Sequence, residues 1–425
     1  MEKVKLEEFN HWWINGKVDV ELALSFKRDV YSEIVEQIDK RFILALVGLR
    51  RIGKTTIMYQ IIQKLIETRI DKTNILFFSF DEISAKISEV LEVYKEIHKK
   101  DFRKEKIYVF LDEIQKCNNW ENELKKYYDL YPKLKFIISG SETLFIRKKT
   151  KETLAGRILE FILTSFTFKE YLRFNKVDEK EFKYETIIKP FFLNFVEKGG
   201  FPETFSFKSD KEFKEYIRAL VIDKIVYKDI PRMFKIEDPE FLKVLLELIA
   251  TNPGMYIDYQ SLSKQFEKDR RVIKKYINYL QESFLINLLN NYRKGSITTS
   301  RKRKKAYPAD NALIYLYKFK IEEDFFGRMV ETLVVNNLKA TNFWKNGNEI
   351  DIVYKDTPIE VKYQEKINNE YFKPLKSFMK KFKNKRAILI TKKEERKINI
   401  EEGIINLIPV WKWLLGVNKY ELYKL

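Results

Sequence analysis

The feature that most limits what this chain can fold into is a glycine-framed loop set between two kinds of apolar pattern. Phe42-Ile43-Leu44-Ala45-Leu46-Val47 is uniformly apolar, as a strand buried on both faces must be. Just beyond it, Ile57, Met58, Ile61, Ile62, Leu65 and Ile66 recur at helical spacing. Between the two, Gly48-Leu49-Arg50-Arg51-Ile52-Gly53-Lys54-Thr55 fits G-x-x-x-x-G-K-[ST]. Glycines let backbone wrap closely around phosphate, and the amides of a helix N-terminus supply positive potential. Gly48, Arg50, Arg51, Gly53, Lys54, Thr55 and Thr56 are therefore candidate nucleotide-binding residues, with Lys54 reaching the β/γ oxygens and the Thr55 hydroxyl ligating Mg²⁺.

Ile75-Leu76-Phe77-Phe78, Ile107-Tyr108-Val109-Phe110-Leu111, Phe136-Ile137-Ile138 and Leu159-Glu160-Phe161-Ile162-Leu163 repeat the buried-strand pattern between helical stretches. That alternation predicts an α/β fold with a parallel sheet and crossover helices. The run Ile107–Leu111 ends in Asp112-Glu113. At the mouth of a phosphate loop, Asp112 is expected to hold Mg²⁺ through water and Glu113 to orient and polarise the attacking water. Ser141, at the end of the next run, is the expected γ-phosphate sensor. Arg157, in Leu154-Ala155-Gly156-Arg157, offers a cation for the transferring phosphoryl from its own or a neighbouring subunit.

At about 150 residues per domain, 425 residues suggest roughly three domains. Only 13 Gly and 10 Pro are present, so boundaries come from changes of pattern rather than from linkers. No run approaches the ~18 apolar residues of a membrane span, and the first eight residues carry charges of both signs, so a cytoplasmic location is expected. One cysteine (Cys117) and two histidines (His11, His98) exclude a disulfide framework and a Cys/His zinc site, leaving oxygen ligands for any metal. The excess of 81 Lys+Arg over 62 Asp+Glu, +19, favours a polyanionic partner.

Two later stretches carry chemistry. Between Tyr259 and Ile286 the sequence reads as two helices joined near Glu267-Lys268-Asp269. Val272, Tyr276, Ile277 and Leu280 are spaced for burial, while Arg270, Arg271, Lys274 and Lys275 face away, as in a helix that meets a major groove. The run from Arg293 to Lys305 holds seven basic residues and no acid, and reads as a wing in which Arg301, Lys302 and Arg303 touch DNA. Further on, Ile350-Asp351-Ile352-Val353-Tyr354 and Ile359-Glu360-Val361-Lys362-Tyr363 flank a turn-rich Lys355-Asp356-Thr357-Pro358. A hairpin there sets Asp351 opposite residues 360–362 and gathers Asp351, Glu360 and Lys362 on one face. Two carboxylates and a lysine suit a Mg²⁺ site with a cation for water or phosphate.

The spacing D-x8-E-x-K, preceded by Glu331 in a helix, resembles the PD-(D/E)XK nucleases, and Glu331 would extend such a metal site. The phosphate loop with its two arginines, Phe110-Leu111-Asp112-Glu113-Ile114-Gln115, Asn119-Trp120-Glu121, Ser139-Gly140-Ser141, Leu154-Ala155-Gly156-Arg157 and Gly199-Gly200-Phe201-Pro202-Glu203 resemble the prokaryotic AAA+ superfamily ATPases that end in a nuclease-like domain. The resemblance implies an AAA+ P-loop core over 1–163, a helical lid over 164–240, a winged helix-turn-helix over 241–316 and a small α/β nuclease-like domain over 317–425. ATP and Mg²⁺ are the expected cofactors, and a nucleotide-dependent homo-oligomer is expected. The expected function is a DNA-binding ATPase in DNA processing or genome defence, with a tail that cleaves DNA. The rival reading is a nucleotide-controlled signalling or regulatory switch whose distal domains bind protein or DNA without cleavage.

Overall fold

The computed structural model describes residues 3–81, 83–140, 152–234, 236–294, 304–318 and 320–416. The chain divides into two compact units, Met1–Thr164 and Ser165–Leu425.

The apolar runs of the first unit form β1 (Ile43–Gly48), β2 (Ile75–Ser79), β3 (Ile107–Asp112), β4 (Leu134–Gly140) and β5 (Ile158–Leu163). They make one parallel sheet in the order β2-β3-β4-β1-β5. Helices Lys54–Glu67, Ile87–His98 and Trp120–Leu130 lie between successive strands in the chain and bury their apolar stripes. Because β4 lies between β1 and β3, its C-terminal end stands between the loop that leaves β1 and the acidic end of β3. The outer edge of β2 is shielded by the N-terminal segment. Asn10 donates its side-chain amide to the Phe77 carbonyl (2.8 Å) and accepts from the Phe77 N–H (2.7 Å), while the Trp13 indole donates to the Ile75 carbonyl (2.8 Å). An edge closed by side chains is not a template for another strand.

The second unit holds two sheets. One combines β6 (Met255–Ile257), β7 (Ile286–Asn291), β8 (Lys304–Pro308), β9 (Asn342–Asn346) and β10 (Asn348–Ile350) in the order β10-β9-β7-β8-β6. The other has β11 (Ile352–Tyr354), β12 (Thr357–Lys362), β13 (Arg386–Thr391), β14 (Arg396–Ile400) and β15 (Gly403–Pro409) in the order β11-β12-β13-β15-β14. Strand β7 pairs antiparallel with β8 and parallel with β9, so the first of these sheets runs across the expected boundary at 316.

The segment expected to form a lid also has a different setting. Phe168 and Tyr171, from helix Phe168–Phe174, and Phe192 and Phe195, from helix Glu185–Lys198, share one core with Val334, Ile359, Val361 and Trp411. The helical, Phe-rich texture of that stretch is correct. Its rings are buried inside the second unit, against the apolar face of β12, because an aromatic surface of this size must find an apolar partner.

The Gly199-Gly200 pair closes this unit. Gly199 has φ +74°, and a Cβ there would sit 1.9 Å from Asp310 Oδ1. The buried Asp310 carboxylate accepts from the N–H groups of Gly200 (3.1 Å) and Ala312 (2.7 Å) and from the Ser165 hydroxyl. Gly199→Ala is expected to destabilise the second unit by about 1–3 kcal/mol through backbone strain and displacement of Asp310. Urea unfolding followed by tryptophan fluorescence checks this, since Trp344, Trp411 and Trp413 all lie in that unit.

Candidate functional site

The phosphate loop begins where β1 ends. Gly48 has φ +153°, and a Cβ there would meet the Leu163 carbonyl oxygen at 2.2 Å, so β5 leaves room only for glycine. Gly53 (φ +92°) opens the helix Lys54–Glu67, and Arg51 also takes a left-handed conformation (φ +63°). The buried Lys54 ammonium donates to the carbonyls of Gly48 (3.1 Å) and Leu49 (2.7 Å), which places it inside the turn. Arg28, which the sequence reading missed, donates to the carbonyls of Ile52 (3.0 Å) and Thr164 (3.1 Å) and ties the loop to the end of β5.

The acidic end of β3 meets this loop. Thr55 donates its hydroxyl to Asp112 Oδ2 (3.0 Å), and Ser139, at the end of β4, donates to Asp112 Oδ1. Ser139 in turn accepts from the Glu113 N–H (3.2 Å). Thr55 and Asp112 thus bring a hydroxyl and a carboxylate together, an oxygen donor pair that fits Mg²⁺, which when bound would neutralise phosphate charge. Glu113 stands in left-handed backbone (φ +51°) and accepts from the Gln115 side-chain amide. Burial pushes its carboxyl above the ordinary glutamate value, with Lys54 opposing and Asp112 adding to the effect. Gly48, Arg50, Arg51, Gly53, Lys54, Thr55, Thr56, Asp112 and Glu113 are therefore contiguous in the fold or adjoin in sequence at the C-terminal edge of the sheet. Ser139 is the partner the sequence reading passed over in favour of Ser141, which lies outside the described residues.

Arg157 is placed elsewhere. Its carbonyl accepts from the Ile43 N–H at the start of β1, and its guanidinium grips Asp129 at 2.9 and 3.2 Å. The phosphate loop leaves the other end of β1, five residues along at ~3.3 Å each, roughly 17 Å away. Arg157 therefore stands at the opposite end of β1 from its own phosphate loop, because the parallel register fixes Ile158 beside Ile43 and Leu163 beside Gly48.

In the second unit the helices Tyr259–Phe266 and Arg270–Glu282 occur as expected, with Asp269 capping the second by accepting from the Arg271 N–H. Ile273, Tyr276, Ile277, Tyr279 and Leu280 are buried, and Arg270, Arg271, Lys274 and Lys275 are all exposed. Val272, expected in the buried stripe, is only half-buried. Arg301, Lys302 and Arg303 lie outside the described residues. The basic run does not continue as a wing through Lys305, because Lys304 and Lys305 belong to β8. Burial and the nearby Lys274 push the Lys304 ammonium below its ordinary value, which sets Lys304 beside the basic helix.

The carboxylate hairpin turns at Lys355 and Asp356, both with positive φ (+44° and +64°), a tighter turn than the four residues expected. Ile352 pairs with Ile359, so the register continues to Asp351 opposite Glu360. The expected strand from Ile350 to Tyr354 is broken at Asp351, where the chain passes from β10 in one sheet to β11 in the other. Asp351 Oδ2 accepts from the Val361 N–H (3.0 Å), Glu360 accepts from the Asp351 N–H (3.3 Å), and the Lys362 ammonium lies 2.8 Å from Glu360 and 3.8 Å from Asp351. Glu331, from helix Glu323–Leu338, joins them and accepts from the Tyr307 hydroxyl (2.6 Å).

Sequence reasoning missed two members of this cluster. Glu349 accepts from Tyr256, and Lys305 lies 2.6 Å from Glu349, 3.6 Å from Asp351 and 3.8 Å from Glu331. A signal was present: Ala306-Tyr307-Pro308 continues as a buried strand, and strand alternation puts Lys305 on the same face as Tyr307. Burial, then Asp351, pushes Glu331 up to about 7 and Glu360 up to about 8, whereas Lys305 overcomes burial to hold Glu349 down at about 2. Among the described residues no three His, Cys, Asp or Glu side chains are grouped as a metal ion would need. The carboxylates are directed instead at two ammonium groups.

Residues 40–172 match the family model described as AAA domain. Residues 191–323 and 326–413 match two families described as domains of unknown function, DUF8612 and DUF4143. Two uncharacterised proteins of Methanocaldococcus jannaschii, MJ1544 and MJ1637, are each 28% identical to this chain, the first over 88% of both chains and the second over 73% of this chain and 71% of its own. An uncharacterised protein of Haemophilus influenzae is 25% identical over 68% of this chain and 73% of its own. Of the solved structures, the Hsp104–ADP complex of S. cerevisiae has a TM-score of 0.31 and 16% identity over 62% of this chain. A closed-state reconstruction of Hsp104 with ATPyS and FITC casein has 0.27 and 16% over 41%. This chain spans 40% and 33% of those two chains, and likeness at such scores carries no argument. The first unit is thus a P-loop domain of AAA type. No helix among the described residues is long and apolar enough to cross a membrane.

If Glu113 serves as the base, hydrolysis requires its carboxylate. Because burial raises its pKa, the ATPase rate should fall as pH drops through a value above the ordinary 4.5, and the fall should be absent in the residual activity of Glu113→Gln. A pH–rate profile of both forms tests this.

Proposed function

We propose that this chain is a Mg²⁺-dependent ATPase that binds DNA through its second unit. The observation that supports it most is the chain of contacts from Thr55 to Asp112 to Ser139 to Glu113, which joins a phosphate loop to a carboxylate that can activate water. A site for binding alone needs the loop but has no use for a half-buried glutamate beside it. Thr55 and Asp112 hold the Mg²⁺ in this reading, Lys54 faces the β/γ phosphates, and Ser139 orients Asp112. Arg157 can act as a finger only on the nucleotide of a neighbouring copy, after leaving Asp129. The AAA match over 40–172 supports nucleotide hydrolysis.

For the second unit, the element order from helix Pro239–Thr251 through β6, two helices, β7 and β8 supports a winged helix. Four exposed cations on the helix Arg270–Glu282, with Lys304 beside them, make its DNA-facing surface, to which Arg301, Lys302 and Arg303 would add. The hairpin β11–β12, continued by parallel β13 and β15 and flanked by helix Glu323–Leu338, supports the nuclease-like reading of the tail as a fold. Cleavage by that fold is the less favoured reading, because Lys305 stands among the carboxylates that a metal would need. A switch that docks protein rather than DNA predicts hydrolysis indifferent to DNA. A cytoplasmic DNA-processing or genome-defence role agrees with the DNA-binding reading.

Lys54→Ala should abolish tight ATP binding, whereas Glu113→Gln should keep binding and slow turnover by roughly 10²–10⁴-fold. Equilibrium binding of a fluorescent ATP analogue and single-turnover hydrolysis separate the two. Arg157→Ala should lower turnover with unchanged nucleotide affinity, and wild-type specific activity should rise with protein concentration. Charge reversal of Arg270, Arg271, Lys274 and Lys275 to Glu should weaken DNA binding and flatten its log–log salt dependence, by about 0.9 for each phosphate no longer neutralised. A quadruple variant with unchanged affinity and slope would move the unit to the protein-docking reading.

A further inference from the structure

Lys305 is an unusual residue to find inside this unit. It lies on β8, which is paired on both sides: Lys305 faces Tyr256 of β6 and Leu289 of β7 in the two ladders. Its backbone therefore cannot shift without breaking both sets of hydrogen bonds. The side chain is 6% exposed, and its ammonium lies 5.9 Å from the ring centre of Tyr256 and 5.8 Å from that of Phe343. Those rings flank the ammonium, and its charged partners are Glu349, Asp351 and Glu331. A buried lysine in an apolar wall is ordinarily costly, and this one persists because three carboxylates from three different elements converge on it.

A divalent cation on the hairpin would need the oxygens of Asp351 and Glu360 at about 2.0–2.6 Å. Asp351 Oδ1 is turned toward Lys305 and its Oδ2 toward the Val361 N–H and Lys362, while Glu360 Oε1 faces Lys362. An ion placed among these oxygens would stand within a few ångström of two fixed ammonium groups. The donor set therefore does not fit a metal as it stands.

We propose that the Lys305 ammonium takes the place of a divalent cation in the hairpin cluster, so that the tail is a metal-free fold whose charge is neutralised by its own chain. The inference rests on reading the hairpin as a nuclease-like fold, since only then is a metal position there to be taken. The Lys305 ion pairs also tie β8, and with it the sheet beside the basic helix, to Asp351 at the passage between the two sheets. The cluster is thus a structural clamp within the unit in place of a reaction centre.

Mn²⁺ binding to the full chain, without nucleotide and with Asp112→Asn to remove the phosphate-loop metal site, provides the test. Free Mn²⁺ is followed by electron paramagnetic resonance, alongside thermal melting with and without the ion. The chain with Lys305 intact should bind Mn²⁺ no more tightly than the same chain carrying Asp351→Asn. Lys305→Ala should gain one site at least tenfold tighter, Lys305→Arg should gain none, and Asp351→Asn should remove the gain. Should Lys305→Ala melt early, Mn²⁺ should raise its melting temperature and leave that of the chain with Lys305 unchanged. If the chain with Lys305 intact binds one Mn²⁺ that Asp351→Asn abolishes, the inference fails while the nuclease-like reading stands. If a folded Lys305→Ala gains no Mn²⁺ site, the carboxylates cannot hold a metal, and the nuclease-like reading falls together with the inference.

Discussion

A buried charge costs several kcal/mol unless a partner meets it with good geometry, and the second unit is organised around that constraint. Lys305, Lys362, Glu331, Glu349, Asp351 and Glu360 come from β8, β12, a helix, β10 and the bend after it. Drawing β8 away from the helix, from β10 or from the bend would break a Lys305 ion pair in a low-dielectric interior. Removing one partner of such a set is far worse than never having built it, so the cluster fixes the relation of the two sheets more strictly than apolar packing alone, which tolerates small slides. Asp310 shows the same logic on a smaller scale: its carboxylate is surrounded by two backbone N–H groups and a hydroxyl, and Gly199 lets it come close.

The first unit depends on a different constraint, strand order. With β4 set between β1 and β3, Ser139 reaches Asp112 while Asp112 reaches Thr55, so two strands and the helix that follows β1 contribute to a single hydrogen-bonded line. Each contact is modest alone. Together they place the loop, the carboxylate and Glu113 in one frame before any nucleotide arrives, which reduces what must be ordered at binding. Parallel register also decides what cannot join: Arg157 is held at the far edge by the same hydrogen bonds that fix β5 beside β1.

The helices Phe168–Phe174 and Glu185–Lys198 connect these themes. Their rings pack on Ile359 and Val361, the apolar face of the strand whose other face carries Glu360 and Lys362. Period-two alternation thus gives β12 a double duty, with one side in the aromatic core and the other in the ionic cluster.

Local pattern alone determined much of this. The uniform runs dictated buried parallel strands, G-x-x-x-x-G-K-T dictated the loop, and the alternation of residues 350–363 dictated the hairpin, because each depends on neighbours within a dozen residues. The sequence also marked Arg270, Arg271, Lys274 and Lys275 as one exposed face. Tertiary structure decided the rest. Ser139 could not be preferred to Ser141 without knowing that β4 lies beside β3. The aromatic helices could not be assigned to the second unit from their own periodicity, which shows that a face is apolar but not what covers it. Lys305 sat in a basic run and read as a surface charge, when pairing on both sides of β8 turns it inward to carboxylates 26 to 46 residues further along the chain. Ion pairs of that kind carry no local pattern, since their partners are chosen by the fold and not by spacing.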